Sequence, residues 1–277
     1  MGGLFLRIKD DKSDKKSRKP SKKLIYLLII ILIILAESFI LCYDYINNDD
    51  SVLAELSEDY PFLNDVLSVF PRNVTDSGDL NVKSKVIGNN SIGNVVVEGP
   101  YGNPNSSVRI AYIIGQHPRE SNAHDAIYEA LRNDWEELNY TYYVFKINVT
   151  SEKDDFEESR MNGQLLAQEF VVNHIVKKGY DLAIDVHSSN GGYVQDPYIF
   201  APVSSDSIAY KAANNITKAL SFVIYYEPAS YSSPQYSTIP IDEGGVPSLV
   251  FEMRGNPDHS LEYEAREFVK TVDNLKL

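Results

Sequence analysis

The stretch at residues 112–124, YIIGQHPRESNAH, begins as an apolar run and ends abruptly in residues that bind metals. The apolar run predicts a buried strand. His117 and Glu120 stand three residues apart, and Pro118 between them favours a turn, so both side chains can point into one space just beyond the strand. A His-x-x-Glu pair also occurs by chance, and a histidine at a strand end is often only hydrogen-bonded. Other parts of the chain must therefore decide between these interpretations.

A second stretch at residues 181–192, DLAIDVHSSNGG, has the same form and places His187 at the end of another apolar run. Two imidazoles and one carboxylate, with a fourth position left for water, are the ligand set of a catalytic zinc. Asp185 lies on the same strand face as His187, where a carboxylate can orient a ligand imidazole. His124 follows Glu120 by four residues and is a second candidate for such a supporting role. The alternative is that His124 is an ordinary helix residue.

A third apolar run at residues 247–253, PSLVFEM, carries a single charged residue, Glu252. An unpaired carboxylate is costly to bury, so Glu252 is expected to face something polar. One interpretation is a salt bridge to Arg254, two residues on and on the same strand face. The other is a catalytic role beside a metal, because the ends of three strands would then converge on one site.

These residues together resemble the zinc carboxypeptidase superfamily, which includes the succinylglutamate desuccinylase and aspartoacylase deacylases. The HPRE sequence at 117–120 resembles its His-x-x-Glu ligand pair, the DVHS sequence at 185–188 its Asp-x-His strand, and Glu252 its late catalytic glutamate. The resemblance covers residues 95–277. The chain differs where the deacylases have Gly-Asn, since Pro118 and Arg119 stand there, and the usual Asn-Arg pair is replaced by Ser159 and Arg160. The spacing from Glu120 to His187 is also short for a full-sized carboxypeptidase.

The resemblance implies one zinc ion held by His117, Glu120 and His187, with water at the fourth position. Zinc lowers the pKa of its bound water to near 7. Glu252 would accept a proton from that water and return it to the leaving nitrogen of an amide.

Enzymes of this superfamily bind a substrate carboxylate next to the scissile bond with arginine, whose planar fork matches it. Arg160 is the first candidate for this contact, followed by Arg119 and Arg254. The tyrosine-rich segment at 225–245 corresponds in position to a substrate-covering loop, and it has too many turn residues to predict a helix or strand. Tyr231 and Tyr236 are both candidates for the loop's substrate-binding tyrosine.

Strands alternate with helices through the C-terminal two thirds of the chain, which predicts an α/β fold with a mixed, mainly parallel sheet and helices on both faces. Sites in such sheets form beyond the carboxyl ends of the strands. The predicted strands are 94–98, 107–115, 141–148, 181–187, 197–201, 222–226 and 248–253. The predicted helices are 121–137, 159–178, 205–220 and 261–275.

The net charge of −13 hides a basic N-terminus, because residues 1–23 hold nine Lys or Arg and only three Asp. Residues 24–41 carry one charge in 18 residues, enough as a helix to cross about 27 Å of hydrocarbon. We predict a cytoplasmic tail over 1–23, a transmembrane helix over 24–43 that places the rest of the chain outside, an acidic linker over 44–85 and a catalytic domain over 86–277. The alternative for the apolar segment is a cleaved signal peptide. We predict no nucleic-acid binding by the basic tail, because its position beside the apolar span has a simpler explanation in membrane orientation.

An exported domain is consistent with six Asn-x-Ser/Thr sequons, at Asn73, Asn89, Asn105, Asn139, Asn148 and Asn215. Cys42 is the only cysteine, so no internal disulfide can form. An outward-facing amide hydrolase would meet peptides or cell-wall crosslinks with a free carboxylate, which favours carboxypeptidase activity. The alternatives are a deacylase of small N-acyl amino acids, and a non-catalytic surface binding domain that keeps the fold.

Overall fold

The computed structural model describes residues 82–189, 197–255 and 259–277. The predicted basic tail, the transmembrane helix over 24–43 and the linker up to residue 81 lie outside these residues, as do Cys42, Asn73 and the end of the 181–192 motif. Within the described residues, no helix has both the length and the apolar character needed to cross a bilayer.

In the described residues, eight strands form one sheet in the order β1-β2-β4-β3-β5-β8-β6-β7. Their bounds are β1 Lys83–Asn90, β2 Gly93–Gly102, β3 Arg109–Ile114, β4 Thr141–Val149, β5 Leu182–Ser189, β6 Tyr198–Phe200, β7 Ile224–Tyr225 and β8 Ser248–Arg254. The four central strands β4, β3, β5 and β8 run parallel, and β7 is parallel to β6. The pairs β1–β2, β2–β4 and β6–β8 are antiparallel. The predicted mixed α/β sheet is confirmed.

Helices cover both faces of this sheet. Strand residues alternate between the two faces, so Tyr112 and Ile184 pack in one apolar cluster while Ile113 and Ala183 pack in the other. Helices α1, α4 and α7 contribute to the first cluster, and α2, α3 and α6 to the second. The helix bounds are α1 Ser121–Asn133, α2 Phe156–Leu166, α3 Asn173–Lys178, α4 Ile208–Ala219, α5 Ser233–Tyr236, α6 Thr238–Glu243 and α7 His259–Val272.

Three predictions about these elements were wrong. The edge strand β1 was missed because its sequence, KSKVIGNN, is mostly exposed and lacks an apolar alternation; backbone pairing to β2 holds it in place. The helix predicted over 159–178 is not continuous, since a π-helical stretch, Ala167–Val172, separates α2 from α3. The tyrosine-rich segment does contain helices, because Pro234 at the start of α5 is compatible with a first helical turn.

Helix α2 lies unusually close to the turn that follows β3. A Cβ atom at Gly163 would lie 1.8 Å from the carbonyl oxygen of Gln116, so no larger residue fits without movement of one backbone. Glycine is otherwise a poor residue for a helix interior. Gly163 therefore sets the distance between α2 and the segment that carries His117.

We predict that Gly163→Ala lowers the free energy of unfolding by about 1–3 kcal/mol, because the added methyl group overpacks the contact with Gln116. In a helix free of that contact, the same change would stabilise by about 1 kcal/mol through helix propensity. Urea unfolding of the purified protein measures the difference. Gln168→Ala, at an exposed position of the same helical run, is the control and should be close to neutral. A stabilised Gly163→Ala protein would show that the close approach is absent.

Candidate metal centre

The turn after β3 places the side chains of His117 and Glu120 next to each other. Gly115 leaves the strand with a φ of +83°, a conformation that favours glycine, and a Cβ there would meet the carbonyl of Ile147 at 2.2 Å. A short 3₁₀ turn, Pro118–Glu120, follows, and the Glu120 amide donates to the His117 carbonyl at 3.0 Å. The turn that Pro118 favours in the sequence is therefore present.

His187, near the end of β5, completes the cluster. His187 Nδ1 lies 3.0 Å from His117 Nδ1 and 3.0 Å from Glu120 Oε2, and His117 Nδ1 lies 2.9 Å from Glu120 Oε1. The Ser188 amide donates to Glu120 Oε2 at 3.1 Å, which fixes the carboxylate to β5. The structure thus brings together the three residues that the sequence predicts as zinc ligands.

The donor set fits a zinc ion. Zinc binds imidazole nitrogen and carboxylate oxygen at about 2.0–2.2 Å in a tetrahedral arrangement, which places neighbouring ligand atoms a little over 3 Å apart. Both histidines are buried, and the Glu120 side chain is only 11% exposed. Three such groups that face one another away from water are costly to bury unless a cation or hydrogen bonds compensate them. Within the described residues, this is the one group of three or more His, Cys, Asp or Glu side chains whose ligand atoms lie close enough together to hold a metal ion.

Two of the three residues are already in the protonation state that a metal requires. Burial, reinforced by the neighbouring His187, lowers the pKa of His117 to about 4, so its imidazole is neutral at pH 7. Burial raises the pKa of Glu120, but hydrogen bonds from both histidines outweigh it and hold that pKa well below its usual range. His187 differs: burial lowers its pKa, yet Asp185 and Glu120 together raise it well above the usual value. A cation at His187 Nδ1 would take the place of that proton.

Asp185 stands behind His187, as the sequence predicts. Its Oδ1 lies 3.2 Å from His187 Nε2, close enough for charge pairing although not aligned as a hydrogen bond. Ser237 Oγ donates to Asp185 Oδ2 at 2.6 Å, and Thr238 Oγ1 lies 3.4 Å from the same oxygen. Sequence reasoning missed Ser237, which no local motif marks.

His124 does not join this group. It is buried on α1, and its Nε2 contacts the backbone carbonyl of Val186 at 3.1 Å. Burial lowers the pKa of His124 to about 4, which keeps the ring neutral. The alternative interpretation of an ordinary buried helix residue fits His124 better than contact with a ligand side chain.

Glu252 lies beside His187 on the neighbouring strand β8, where the two residues are paired in register. Among the described residues, its carboxylate has no hydrogen-bond partner. Burial, followed by the negative charges of Glu120 and Asp185, raises the pKa of Glu252 to about 7, against the opposing effects of His187 and Arg160. A carboxylate with this pKa is suited to exchange protons near neutral pH.

The salt bridge considered for Glu252 and Arg254 is absent. Arg254 Nε instead donates to Glu264 Oε1 on α7 at 3.0 Å. This pairing engages the Arg254 guanidinium on α7, and a role of Arg254 in carboxylate binding stays a prediction.

The two other arginine candidates share one aromatic ring. Arg160 Nη1 donates to Glu120 Oε1 at 2.8 Å, and Arg119 Nη2 donates to the Asp154 carbonyl at 2.6 Å. Both guanidinium groups lie against the ring of Phe156, at 5.3 Å for Arg160 and 5.5 Å for Arg119. The Phe156 side chain is 47% exposed. Arg160 therefore contacts a residue of the His-Glu-His cluster directly, whereas Arg119 donates to the Asp154 carbonyl instead.

Neither tyrosine candidate contacts a predicted metal ligand. The Tyr231 hydroxyl donates to Glu227 at 3.2 Å, and its ring packs against Phe200. Tyr236 is half-buried at the end of α5, next to Ser237, whose hydroxyl supports Asp185. The assignment of a substrate-binding tyrosine stays a prediction.

No protein-family model and no curated protein matches the sequence. Among solved structures, the chain is similar to a metallo-carboxypeptidase from Burkholderia cenocepacia, with 10% identity and a TM-score of 0.44 over 72% of this chain and 64% of that chain. It is similar to a metallo-carboxypeptidase from Pseudomonas aeruginosa in complex with (2-guanidinoethylmercapto)succinic acid, with 11% identity and a TM-score of 0.44 over 65% of this chain and 60% of that chain. It is also similar to a succinylglutamate desuccinylase/aspartoacylase from Rhodobacter sphaeroides (15%, 0.44, 71% and 66%). The chain spans less than two thirds of the length of each of these three proteins.

We predict that His117→Ala, Glu120→Ala and His187→Ala each lose zinc, because the two remaining protein ligands hold the ion poorly. His174→Ala is the matched control: this half-buried histidine packs against Phe145, and its loss should leave the zinc content unchanged. Elemental analysis of the folded variants gives the metal content per chain. Full zinc occupancy in any one of the three variants would remove that residue from the ligand set.

Proposed function

We propose that this protein is a zinc-dependent amide hydrolase of the carboxypeptidase type. The observation that carries the proposal is the position of Glu252 directly beside His187 of the His-Glu-His cluster. Its carboxylate has no hydrogen-bond partner in the part of the chain that the structure describes, and its pKa is raised to about 7. A binding module has little use for a proton acceptor at that place. A hydrolase needs one there.

When bound, zinc would supply a polarised water of lowered pKa and a positive charge near the scissile carbonyl. Glu252 accepts a proton on its carboxylate and passes it to the leaving nitrogen of the amide. Arg160 adds a guanidinium next to Glu120, where it stabilises negative charge on the substrate. His117 and His187 stay fixed by buried neighbours, so little reorganisation accompanies the reaction.

The substrate class that we favour is a peptide, or a peptide crosslink of a cell wall, with a free carboxylate next to the scissile bond. Arg160 is 29% exposed and supplies a cation at the cluster for such a group. The deacylase alternative would use the same chemistry on a small N-acyl amino acid. Arg119 and the exposed ring of Phe156 extend the site outward from Arg160, which favours a longer substrate.

Three substrates test the proposal with the purified full-length protein. The first is a peptide with a free C-terminus, the second the same peptide with an amidated C-terminus, and the third an N-acyl amino acid. We expect release of the C-terminal residue from the first alone, with loss of activity on chelation and recovery on addition of zinc. Preference for the N-acyl amino acid would establish the deacylase alternative. Zinc binding without hydrolysis of any amide would support the non-catalytic alternative.

Arg160→Ala should raise the KM for the free-carboxylate peptide by roughly a hundredfold, because a charge-assisted contact worth a few kcal/mol is lost. The zinc content should change far less. Arg132→Ala is the control, since that guanidinium pairs with Glu129 on α1, away from the cluster. An unchanged KM in Arg160→Ala would transfer the role to Arg119 or Arg254.

Glu252→Gln keeps the size and hydrogen-bonding capacity of the side chain but cannot accept a proton. We expect kcat to fall by on the order of 10² to 10⁴ while zinc content and melting temperature stay nearly unchanged. Glu243→Gln, at an exposed position, is the control and should retain full activity. A folded, zinc-replete and fully active Glu252→Gln protein would refute the catalytic assignment.

The same residue sets the expected pH dependence. Glu252 must be ionised to accept a proton, and its pKa is raised to about 7, so activity should be present above that pH and lost as the pH falls through it. A bound cation lowers this pKa by favouring the carboxylate. The acidic limb of kcat/KM should therefore fall at or below about pH 7.

We also propose that residues 24–43 anchor the protein in the cell membrane, with the catalytic domain outside the cell. Nine Lys or Arg before the apolar segment support this orientation. Five sequon asparagines, Asn89, Asn105, Asn139, Asn148 and Asn215, are exposed, although Asn139 already donates its side-chain amide to Asp273. The other four are the better acceptors for a sugar.

Protease added to intact cells should release a fragment that begins after Cys42, because the whole domain is then accessible from outside. Mass spectrometry of the released fragment locates the cleavage, and cells permeabilised before treatment serve as the control. A full-length chain protected in intact cells and cleaved only after permeabilisation would show that the orientation is wrong.

A further inference from the structure

Gln164 is a buried polar residue that neither the sequence motifs nor the proposed reaction uses. It lies on α2 directly after Gly163, and its side chain reaches the back of the metal cluster. Its Nε2 is 3.3 Å from His117 Nε2 and 3.2 Å from the hydroxyl of Ser232. Its Oε1 is buried and has no hydrogen-bond partner within the described part of the chain. The amide nitrogen therefore has two polar neighbours among these residues, and the amide oxygen has none.

The hydrogen-bonding capacity of these neighbours decides which amide atom belongs between them. His117 directs Nδ1 toward Glu120 and His187, so a metal in the cluster would use that nitrogen. A neutral imidazole that binds metal through Nδ1 carries its hydrogen on Nε2 and is a donor there. The Ser232 hydroxyl can also donate. His117 Nε2 then needs an acceptor, which the amide oxygen supplies and the amide nitrogen does not, and the Ser232 hydroxyl can donate to the same oxygen.

We propose that Gln164 is a positioning residue for the metal centre, which accepts a hydrogen bond from His117 Nε2 through its amide oxygen when the metal is bound. The inference rests on the proposed metal site. A half-turn of the amide group exchanges Oε1 and Nε2 with little movement of the rest of the side chain. The oxygen then accepts from both His117 and Ser232 and fixes the orientation of the imidazole.

Each of the two ligand histidines has a polar side chain next to its outer ring nitrogen, but these two side chains differ in charge. Gln164, a neutral amide, stands behind His117, and Asp185, a carboxylate, stands behind His187. Each is contacted in turn by a hydroxyl of one short segment, Gln164 by Ser232 and Asp185 by Ser237. That segment, residues 232–237, includes α5, and it is held at both ends by its contacts with Gln164 and Asp185. Groups that hold the outer nitrogen of a ligand imidazole typically contribute ten- to a hundredfold to metal affinity.

Zinc affinity of the full-length protein, measured by competition with a chromophoric chelator, tests the proposal. We expect Gln164→Leu, which removes the acceptor, to weaken zinc binding by about ten- to a hundredfold. Gln164→Glu keeps an acceptor and cannot donate, so its affinity should equal or exceed that of the wild type. Gln168→Leu, one turn along the same helical run and exposed, should leave the affinity unchanged. The visible spectrum of the cobalt-substituted protein should change in Gln164→Leu and not in Gln168→Leu.

Two results would overturn the inference: a Gln164→Leu protein with wild-type zinc affinity, or a Gln164→Glu protein as weak as Gln164→Leu, which would mean that the amide acts as a donor. If Gln164→Leu fails to fold by circular dichroism, Gln164→Asn decides, because it keeps the amide but shortens its reach and should also bind zinc more weakly. Failure of the wild type to bind zinc would overturn the proposed function as well. Wild-type binding with unaffected variants overturns this inference alone.

Discussion

Two buried imidazoles and one largely buried carboxylate meet at the proposed metal site, where the facing nitrogen and oxygen atoms lie 2.9–3.0 Å apart. Groups of this kind are costly to remove from water unless a cation or hydrogen bonds compensate. Arg160 and the Ser188 amide supply part of that compensation at Glu120. A metal ion between the three donors would supply the rest, and it would stabilise the folded chain by binding the native state alone.

The sheet brings these residues together from distant parts of the sequence. Strands β3, β5 and β8 are parallel neighbours, so the turn after β3 and the ends of β5 and β8 lie at one edge. The β5–β8 register places Glu252 beside His187, and the apolar residues that alternate with them pack under the helices on the opposite face. A slip of one residue in that register would turn Glu252 away from the cluster. The apolar core thereby determines the geometry of the polar site.

The sequence was sufficient to predict the features that have a local signal. Apolar runs identified the central strands, and the abrupt change to His and Glu at their ends identified the cluster. Gln164 and Ser237 had no such signal, because each is an ordinary polar residue whose role depends on an element packed against a distant strand. The partner of Arg254 was missed for a related reason. Glu264 lies on α7, and the local pattern around Glu252 contains nothing about how that helix crosses the strand.

X-ray absorption at the zinc edge of the purified full-length protein tests whether His117, Glu120 and His187 hold one zinc ion. We expect one zinc per chain, with two imidazole nitrogens and carboxylate or water oxygen at about 2.0–2.2 Å. Cys42 is the only possible thiolate. A sulfur ligand at about 2.3 Å, or a coordination sphere without imidazole, would show that these three residues do not hold the ion.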